Sequence, residues 1–275
     1  LNKILNIEYP IILAPMFLIS NVEMTKIALD SGISAAIPAM NYRTEKELEY
    51  AINEIKSYSD KDFGINLITN RSNTRYKKQL DVVLKTKPAY VISSLGNPSE
   101  LIIEAHKVGI KVFCDVVDLN YAKKVEKLGS DAIIAVNNKA GGHAGIHSPE
   151  KLLSELIKNC KIPIISAGGI SKPEKLKSTL EYDIAGVSIG TVFIASNEAP
   201  VSEEYKKALI NYKAKDIVLT TKLSGTPSTV INTEYVQRTG LKPGIAERLL
   251  NKNPLFKKNL KQFLMKRGMN KLRKA

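Results

Sequence analysis

The stretch 162-IPIISAGGI-170 decides the fold. It is an apolar run too short for a helix, without polar alternation, closed by two glycines. A continuous run of this kind is a strand buried on both faces, as in parallel sheets. The same unit recurs along the chain. Runs at 11-IILAP, 33-ISAAIP, 63-FGINLI, 89-AYVISS, 111-KVFCDV, 132-AIIAV and 184-IAGVSIG bring the count to eight, beginning roughly 20 to 30 residues apart. Helical patterns lie between them, as in 21-NVEMTKIALDSG, 44-TEKELEYAINEIKSY, 98-PSELIIEAHKVG and 119-LNYAKKVEKLGS. Several close on glycine, as helix C-termini do.

Eight strand–helix units fit an α/β fold of the (β/α)8 TIM-barrel type. A doubly wound open sheet is the alternative. It usually has fewer strands, and a dinucleotide-binding version opens with GxGxxG after its first strand, where this chain has 14-APM-16. The expected layout is a barrel over 1–240, with a loop at 220–232 folding back over its mouth. Residues 196–275 are otherwise expected to be helical, and 241–275 form a basic extension on or beside the barrel.

Composition narrows the function classes. Of 275 residues, 41 are basic and 27 acidic, a net charge of +14. Nine basic residues and no acid fall in 251–275, so the excess is concentrated in the tail. Aromatics are few and no nucleic-acid-binding motif occurs, so a nucleic-acid partner is not expected. No apolar run approaches the ~20 residues of a membrane span. With no signal-peptide pattern and two unpaired cysteines, Cys114 and Cys160, a cytoplasmic protein is expected. Three scattered histidines and no carboxylate cluster supply no metal-ligand set.

Barrel chemistry sits at the C-terminal ends of the strands. The last two ends, Ser166-Ala167-Gly168-Gly169 and Gly190-Thr191, are small-residue loops. In many barrels these two loops hold a phosphate on backbone N–H groups. The loop after the sixth strand, 139-KAGGHAG-145, has three glycines around His143. Bare backbone suits close approach of a ligand, and the flanking glycines offer an imidazole little to pack against. His143 is therefore the candidate catalytic or substrate-contacting residue. His106, inside a helical pattern, and His147, leading into the next helix, are structural.

The order and spacing of 9-YPIILAPM-16, 63-FGIN-66, 96-GNP-98, 129-GSDAIIA-135, 140-AGGHAG-145, 163-PIISAGGI-170, 186-GVSIGTVF-193 and 216-DIVLTTKLSGTP-227 resemble the nitronate monooxygenase family, formerly 2-nitropropane dioxygenases. The likeness covers roughly residues 3–240. The flavin-type enoyl-acyl-carrier-protein reductases share much of the pattern. The resemblance implies an FMN-dependent TIM barrel. It places Ala140, Gly141 and Gly142 against the flavin and the FMN phosphate on Ala167, Gly168, Gly169, Gly190 and Thr191. Ala14, Pro15, Met16 and Asn66 line the flavin, with Asp115 and Ser166 at neighbouring strand ends. His143 is the family's histidine, taking the α-proton of a neutral nitroalkane or binding the nitronate.

The implied reaction converts an alkyl nitronate and O2 to a carbonyl compound and nitrite. The partners are then small molecules, and a homodimer is left open. The chain departs from the family pattern at Lys139, usually Glu, at Val136, usually Gln, Glu or Asp, and at Asp115, often Lys or Gln. The run after the second strand also lacks the usual Gly-rich turn. Two alternatives stand beside this reading: an FMN-dependent NAD(P)H oxidoreductase acting on an enoyl thioester or quinone, and a flavin-binding barrel without turnover that works through its basic tail.

Overall fold

The computed structural model describes residues 1–222 and 227–242. Its eight-stranded barrel closes in the order β1 (Ile11–Leu13), β2 (Ser34–Pro38), β3 (Gly64–Ile68), β4 (Tyr90–Ser94), β5 (Lys111–Val116), β6 (Ala132–Val136), β8 (Ile164–Ala167) and β9 (Gly186–Ile189). Every neighbouring pair is parallel, and β9 returns to β1 with Ile11 beside Val187 and Leu13 beside Ile189. Each of the eight apolar runs is one barrel strand. β7 (Gly142–His143) is a two-residue strand outside the barrel.

Helices α1 (Val22–Asp30), α2 (Glu45–Tyr58), α3 (Tyr76–Thr86), α4 (Ser99–Lys107), α5 (Leu119–Lys127), α6 (Pro149–Asn159) and α7 (Pro173–Leu180) connect the strands. Their starts follow from side chains that satisfy the orphan N–H groups of the first turn. Asn21, Asp118 and Ser148 each accept from the backbone three residues on, and Thr44 and Glu47 form a reciprocal capping box. Gly32, Gly109 and Gly129 follow α1, α4 and α5 at φ +78°, +80° and +95°, left-handed values that terminate a helix. On α2, Leu48, Ala51, Ile52 and Ile55 recur at helical spacing and are the residues buried against the barrel.

Two layers of core result. Outward-facing strand residues such as Ile65, Val91, Val112 and Ile133 pack with the helices. Inward-facing Ile12, Ala36, Tyr90, Ile92, Phe113, Ile134 and Ile165 fill the barrel, with Leu1 and Leu5 in the same cluster. Tyr90 stacks on Phe113 at 4.7 Å and bonds Ser34 Oγ at 2.9 Å. Gly64 leaves room for that ring: a Cβ there would lie 2.3 Å from it.

The C-terminal part departs from the helical expectation. After α8 (Glu203–Asn211) the chain forms β10 (Ile217–Thr220) and β11 (Ser228–Ile231), an antiparallel pair, and then α9 (Glu234–Thr239). IVLT and STVI are apolar or β-branched runs that favour strands over helix. β11 pairs with β7, so Ser228 and Thr229 lie beside the AGGH loop, while 223–226 of the loop expected at 220–232 lie outside the described residues. Most of the proposed basic extension, 243–275, lies outside the described residues. Among those described, no helix is long and apolar enough to cross a membrane.

Candidate active site

Strand alternation selects the residues lining the mouth. Two positions beyond the inward-facing Ile12, Ala36, Ile92, Phe113, Ile134 and Ile165 stand Ala14, Pro38, Ser94, Asp115, Val136 and Ala167. Asn66 and Gly190 complete this layer from β3 and the end of β9. The mouth is thus polar from β3 to β5 and nearly bare at β1, β6, β8 and β9. Ser166 faces the other way, on the side of Ile164 and the helices. Its hydroxyl is buried without a hydrogen-bond partner, so only its backbone adjoins the mouth.

The bare side is built from backbone. Gly168 and Gly169 adopt φ +111° and +79°, values that side chains resist. A Cβ on Gly168 would lie 2.5 Å from Ala140 N, and one on Gly169 would lie 2.8 Å from Lys139 Cβ. Gly141 packs against Thr191, where a Cβ would meet Oγ1 at 2.7 Å; Gly190 lies against Met16 and Ala14. Loops after β1, β6, β8 and β9 therefore touch through their glycines. Among the described residues, no protein hydrogen bond uses the N–H of Gly168, Gly169, Gly190 or Thr191. Unpaired N–H groups on adjacent glycine turns can hold a phosphate or other anion.

Two polar side chains that sequence reasoning passed over lock this arrangement. Asn137 is 1% exposed. It donates through Nδ2 to Gly168 O at 3.0 Å and accepts at Oδ1 from Lys139 N–H at 2.8 Å. Its carbonyl also accepts from Ala140 and Gly145. One residue thereby ties the AGGH loop to the glycine turn of β8. At β1, Ser20 accepts from Met16 N–H at 2.8 Å and donates to Ala14 O at 2.9 Å. An Asn directly after a buried strand, before a glycine loop, was the available signal.

His143 sits on β7, in register with Ser228 of β11, while Gly142 pairs with Thr229. The Thr229 hydroxyl also donates to Ala140 O. The hairpin arm thus fixes the backbone that carries the imidazole. His143 remains solvent-accessible, yet the crowded protein around it lowers its pKa from 6.5, favouring the neutral ring. His106 bonds Asp131 at 2.8 Å on the outer surface, a structural role.

On the polar side, Asn66 Nδ2 donates to Ser94 Oγ at 2.7 Å, and Ser94 donates to Asp115 Oδ2. Burial pushes the Asp115 carboxyl up to about 6, against the opposing effect of the Ser94 bond. Asn66 and Asp115, expected near a cofactor, are thus joined by Ser94, which sequence reasoning did not single out. Pro15 lies in the loop between the mouth residues Ala14 and Met16. A shallow groove between α1 and α2, lined by Tyr42, Tyr50 and Glu54, is on the flank and includes none of these residues.

A sequence model of the nitronate monooxygenase family matches residues 68–273, three quarters of the chain. The chain is 29% identical over 273 residues to the nitronate monooxygenase of Paraburkholderia phytofirmans, covering 82% of this chain and 74% of that protein. It is 28% identical over 236 residues to the (3aS,4S,5R,7aS)-5-hydroxy-7a-methyl-1-oxo-octahydro-1H-indene-4-carboxyl-CoA dehydrogenase of Rhodococcus jostii, covering 86% of this chain but just 66% of that protein. Among solved structures, FabK from Thermotoga maritima superposes with a TM-score of 0.81 at 27% identity, over 92% of this chain and 78% of that one. A nitroalkane oxidase from Streptomyces ansochromogenes, at 20% identity and a TM-score of 0.80, covering 97% of this chain and 89% of that one, shares the fold. With its glycine-built mouth and this match, the chain belongs to the nitronate monooxygenase family of flavin-dependent oxidoreductases.

Proposed function

We propose that the protein binds FMN at the barrel mouth and oxidises alkyl nitronates with O2, giving a carbonyl compound and nitrite. The observation that carries this reading is the contact of the AGGH loop, which bears His143 on its clamped strand, with the bare turns: Ala140 against Gly168, Lys139 against Gly169 and Gly141 against Thr191. The free N–H groups of those turns and the Thr191 hydroxyl suit the FMN phosphate. Ala140, Gly141 and Gly142 present backbone to the ring system, with Ala14, Pro15 and Met16 from the adjacent loop. When bound, FMN would carry electrons between substrate and O2.

The chain's own residues do the rest. A neutral His143 is ready to take the α-proton of a nitroalkane, or, once protonated, to pair with the nitronate. General-base help of this kind is worth ~10²–10⁴-fold. The β10–β11 arm holds the backbone that carries the imidazole.

The rival reading is an FMN-dependent NAD(P)H reductase of enoyl thioesters or quinones. The likeness to FabK and to the indene-carboxyl-CoA dehydrogenase of Rhodococcus jostii favours it. Anaerobic addition of propionate-3-nitronate and of NADH to separate samples of the yellow protein distinguishes the two. Bleaching of the flavin by the nitronate alone is the expected result. Bleaching by NADH alone would overturn the proposal.

A further inference from the structure

Of the eight side chains in the inward layer of the mouth, Asp115 alone is ionisable; the others are Ala14, Pro38, Asn66, Ser94, Val136, Ala167 and Gly190. It receives one protein hydrogen bond, from Ser94 to Oδ2, and Ser94 is itself held by Asn66. Among the described residues, nothing in the protein bonds Oδ1, and no Lys or Arg forms an ion pair with the carboxylate. Asp115 is partly open to solvent. A carboxyl anchored by one oxygen, with the other free and no cation beside it, can change charge where a ligand enters.

We propose that Asp115 is a proton-dependent gate on ligand charge: with its carboxyl neutral the mouth accepts an anion, and with it ionised the mouth favours a neutral ligand. The proposal rests on the reading that flavin and substrate share this mouth. When neutral, the carboxyl keeps the Ser94 bond on one oxygen and offers a donor from the other. When ionised, it repels an anion entering the same mouth. The raised pKa places the change inside the physiological range.

The other titratable groups nearby behave differently. Cys114, on the same strand, is pushed up to about 12 and Tyr121, on α5, is also raised, so both stay neutral through this range. β4 and β3 present only Ser94 and Asn66. From the β6 loop, His143 titrates below its usual value, and Lys139 lies against Gly169 on the far side. The gate therefore adds a dependence distinct from that of His143. It separates the neutral nitroalkane, favoured at higher pH, from the nitronate, favoured at lower pH.

The test uses the flavin-loaded protein and nitrite, which remains an anion between about pH 5 and 8. Nitrite binding is read from perturbation of the flavin spectrum. For the native protein, affinity should fall by up to about 90-fold from pH 5 to pH 8, the loss of the protonated fraction of a carboxyl titrating near 6. For Asp115→Asn, which retains His143, the pH dependence should be much weaker than in the native protein, leaving the part contributed by protonation of His143. Equal pH dependence in the two proteins would overturn the proposal. A second measurement needs no flavin: the 13C resonance of the Asp115 carboxyl, identified by its loss in Asp115→Asn. A midpoint near 6 supports the gate, and one near the ordinary 3.8 overturns it. A protein that binds no flavin would refute the proposed function, while the carboxyl titration would still decide on Asp115.

Discussion

Replacing Asn137 by Ala should both destabilise the barrel and loosen its ligand site. Asn137 is 1% exposed, and its side chain makes two bonds, to Gly168 O at 3.0 Å and from Lys139 N–H at 2.8 Å. Removing it leaves two backbone groups without partners, each costing about 1–3 kcal/mol where water cannot replace the bond. We expect a loss of about 2–4 kcal/mol. In a domain of this size, that lowers Tm by about 5–15 °C. The flavin site should suffer too, because the bridge ties the AGGH loop to the glycine turn of β8. A loss of 1.4 kcal/mol in positioning already weakens binding about tenfold. Thermal unfolding with and without flavin, together with flavin titration, measures both effects. The control is Asn159→Ala: Asn159 is exposed and bonds just Glu155 O, so its removal should stay within about 0.5 kcal/mol. If Asn137→Ala melts within 2 °C of the native protein and binds flavin equally well, Asn137 does not hold the two loops together.

His143→Ala should keep the flavin and lose about 10²–10⁴-fold in turnover of a neutral nitroalkane; unchanged kcat/KM would remove its role as a base. Because the folded pKa of His143 lies below 6.5, native kcat/KM for that substrate should hold down to pH 6.5 and fall at lower pH, as the ring protonates. Gly169→Val, at φ +79° and facing Lys139 Cβ, should release flavin during purification; normal flavin content would refute the placement of the cradle. Asp115→Asn should stabilise the protein at pH 8 by about 2–3 kcal/mol and leave it unchanged near pH 3. The sign follows from a carboxyl raised from 3.8 to about 6: its ionisation costs stability as pH rises through the folded value, and the cost is absent below the unfolded one. Equal melting curves for both proteins at pH 8 would contradict it.

The barrel was legible because parallel strands are buried on both faces. Runs such as 132-AIIAV-136 and 162-IPIIS-166 had no polar alternation to confuse them, and Asn21, Thr44 and Ser148 marked the helix starts. The glycine loops were legible for a related reason, since Gly168 and Gly169 occupy backbone angles that side chains resist. Less legible were features that depend on partners distant in sequence. Gly142–His143 is a strand because Ser228 and Thr229 lie beside it, more than eighty positions away. The helical expectation for the C-terminal part failed at Ile217–Thr220, and the loop expected at 220–232 contains the strand Ser228–Ile231; the β-branched content of both runs favours strand pairing. Ser94 and Asn137 were passed over because one polar residue at a strand end carries no pattern; its meaning appears when the next strand is in place.

The distribution of charge explains why the site is built from glycine. The chain carries +14, but nine of its basic residues fall in 251–275, and the inward layer of the mouth holds no lysine or arginine. A Lys side chain would bring a full charge at the cost of ordering a flexible stem, and its field in open solvent would be screened beyond ~8 Å. The N–H groups of Gly168, Gly169 and Gly190 are already fixed by the strands, by Asn137 and by the packing of Met16 and Ala14. They can hold an anion without reorganising and leave the mouth without permanent charge. In that setting, the one ionisable side chain of the layer, Asp115, has a large influence. On the proposed reading, a single proton there decides whether the opening favours an anion or a neutral ligand, a choice that a fixed positive charge beside it would blunt.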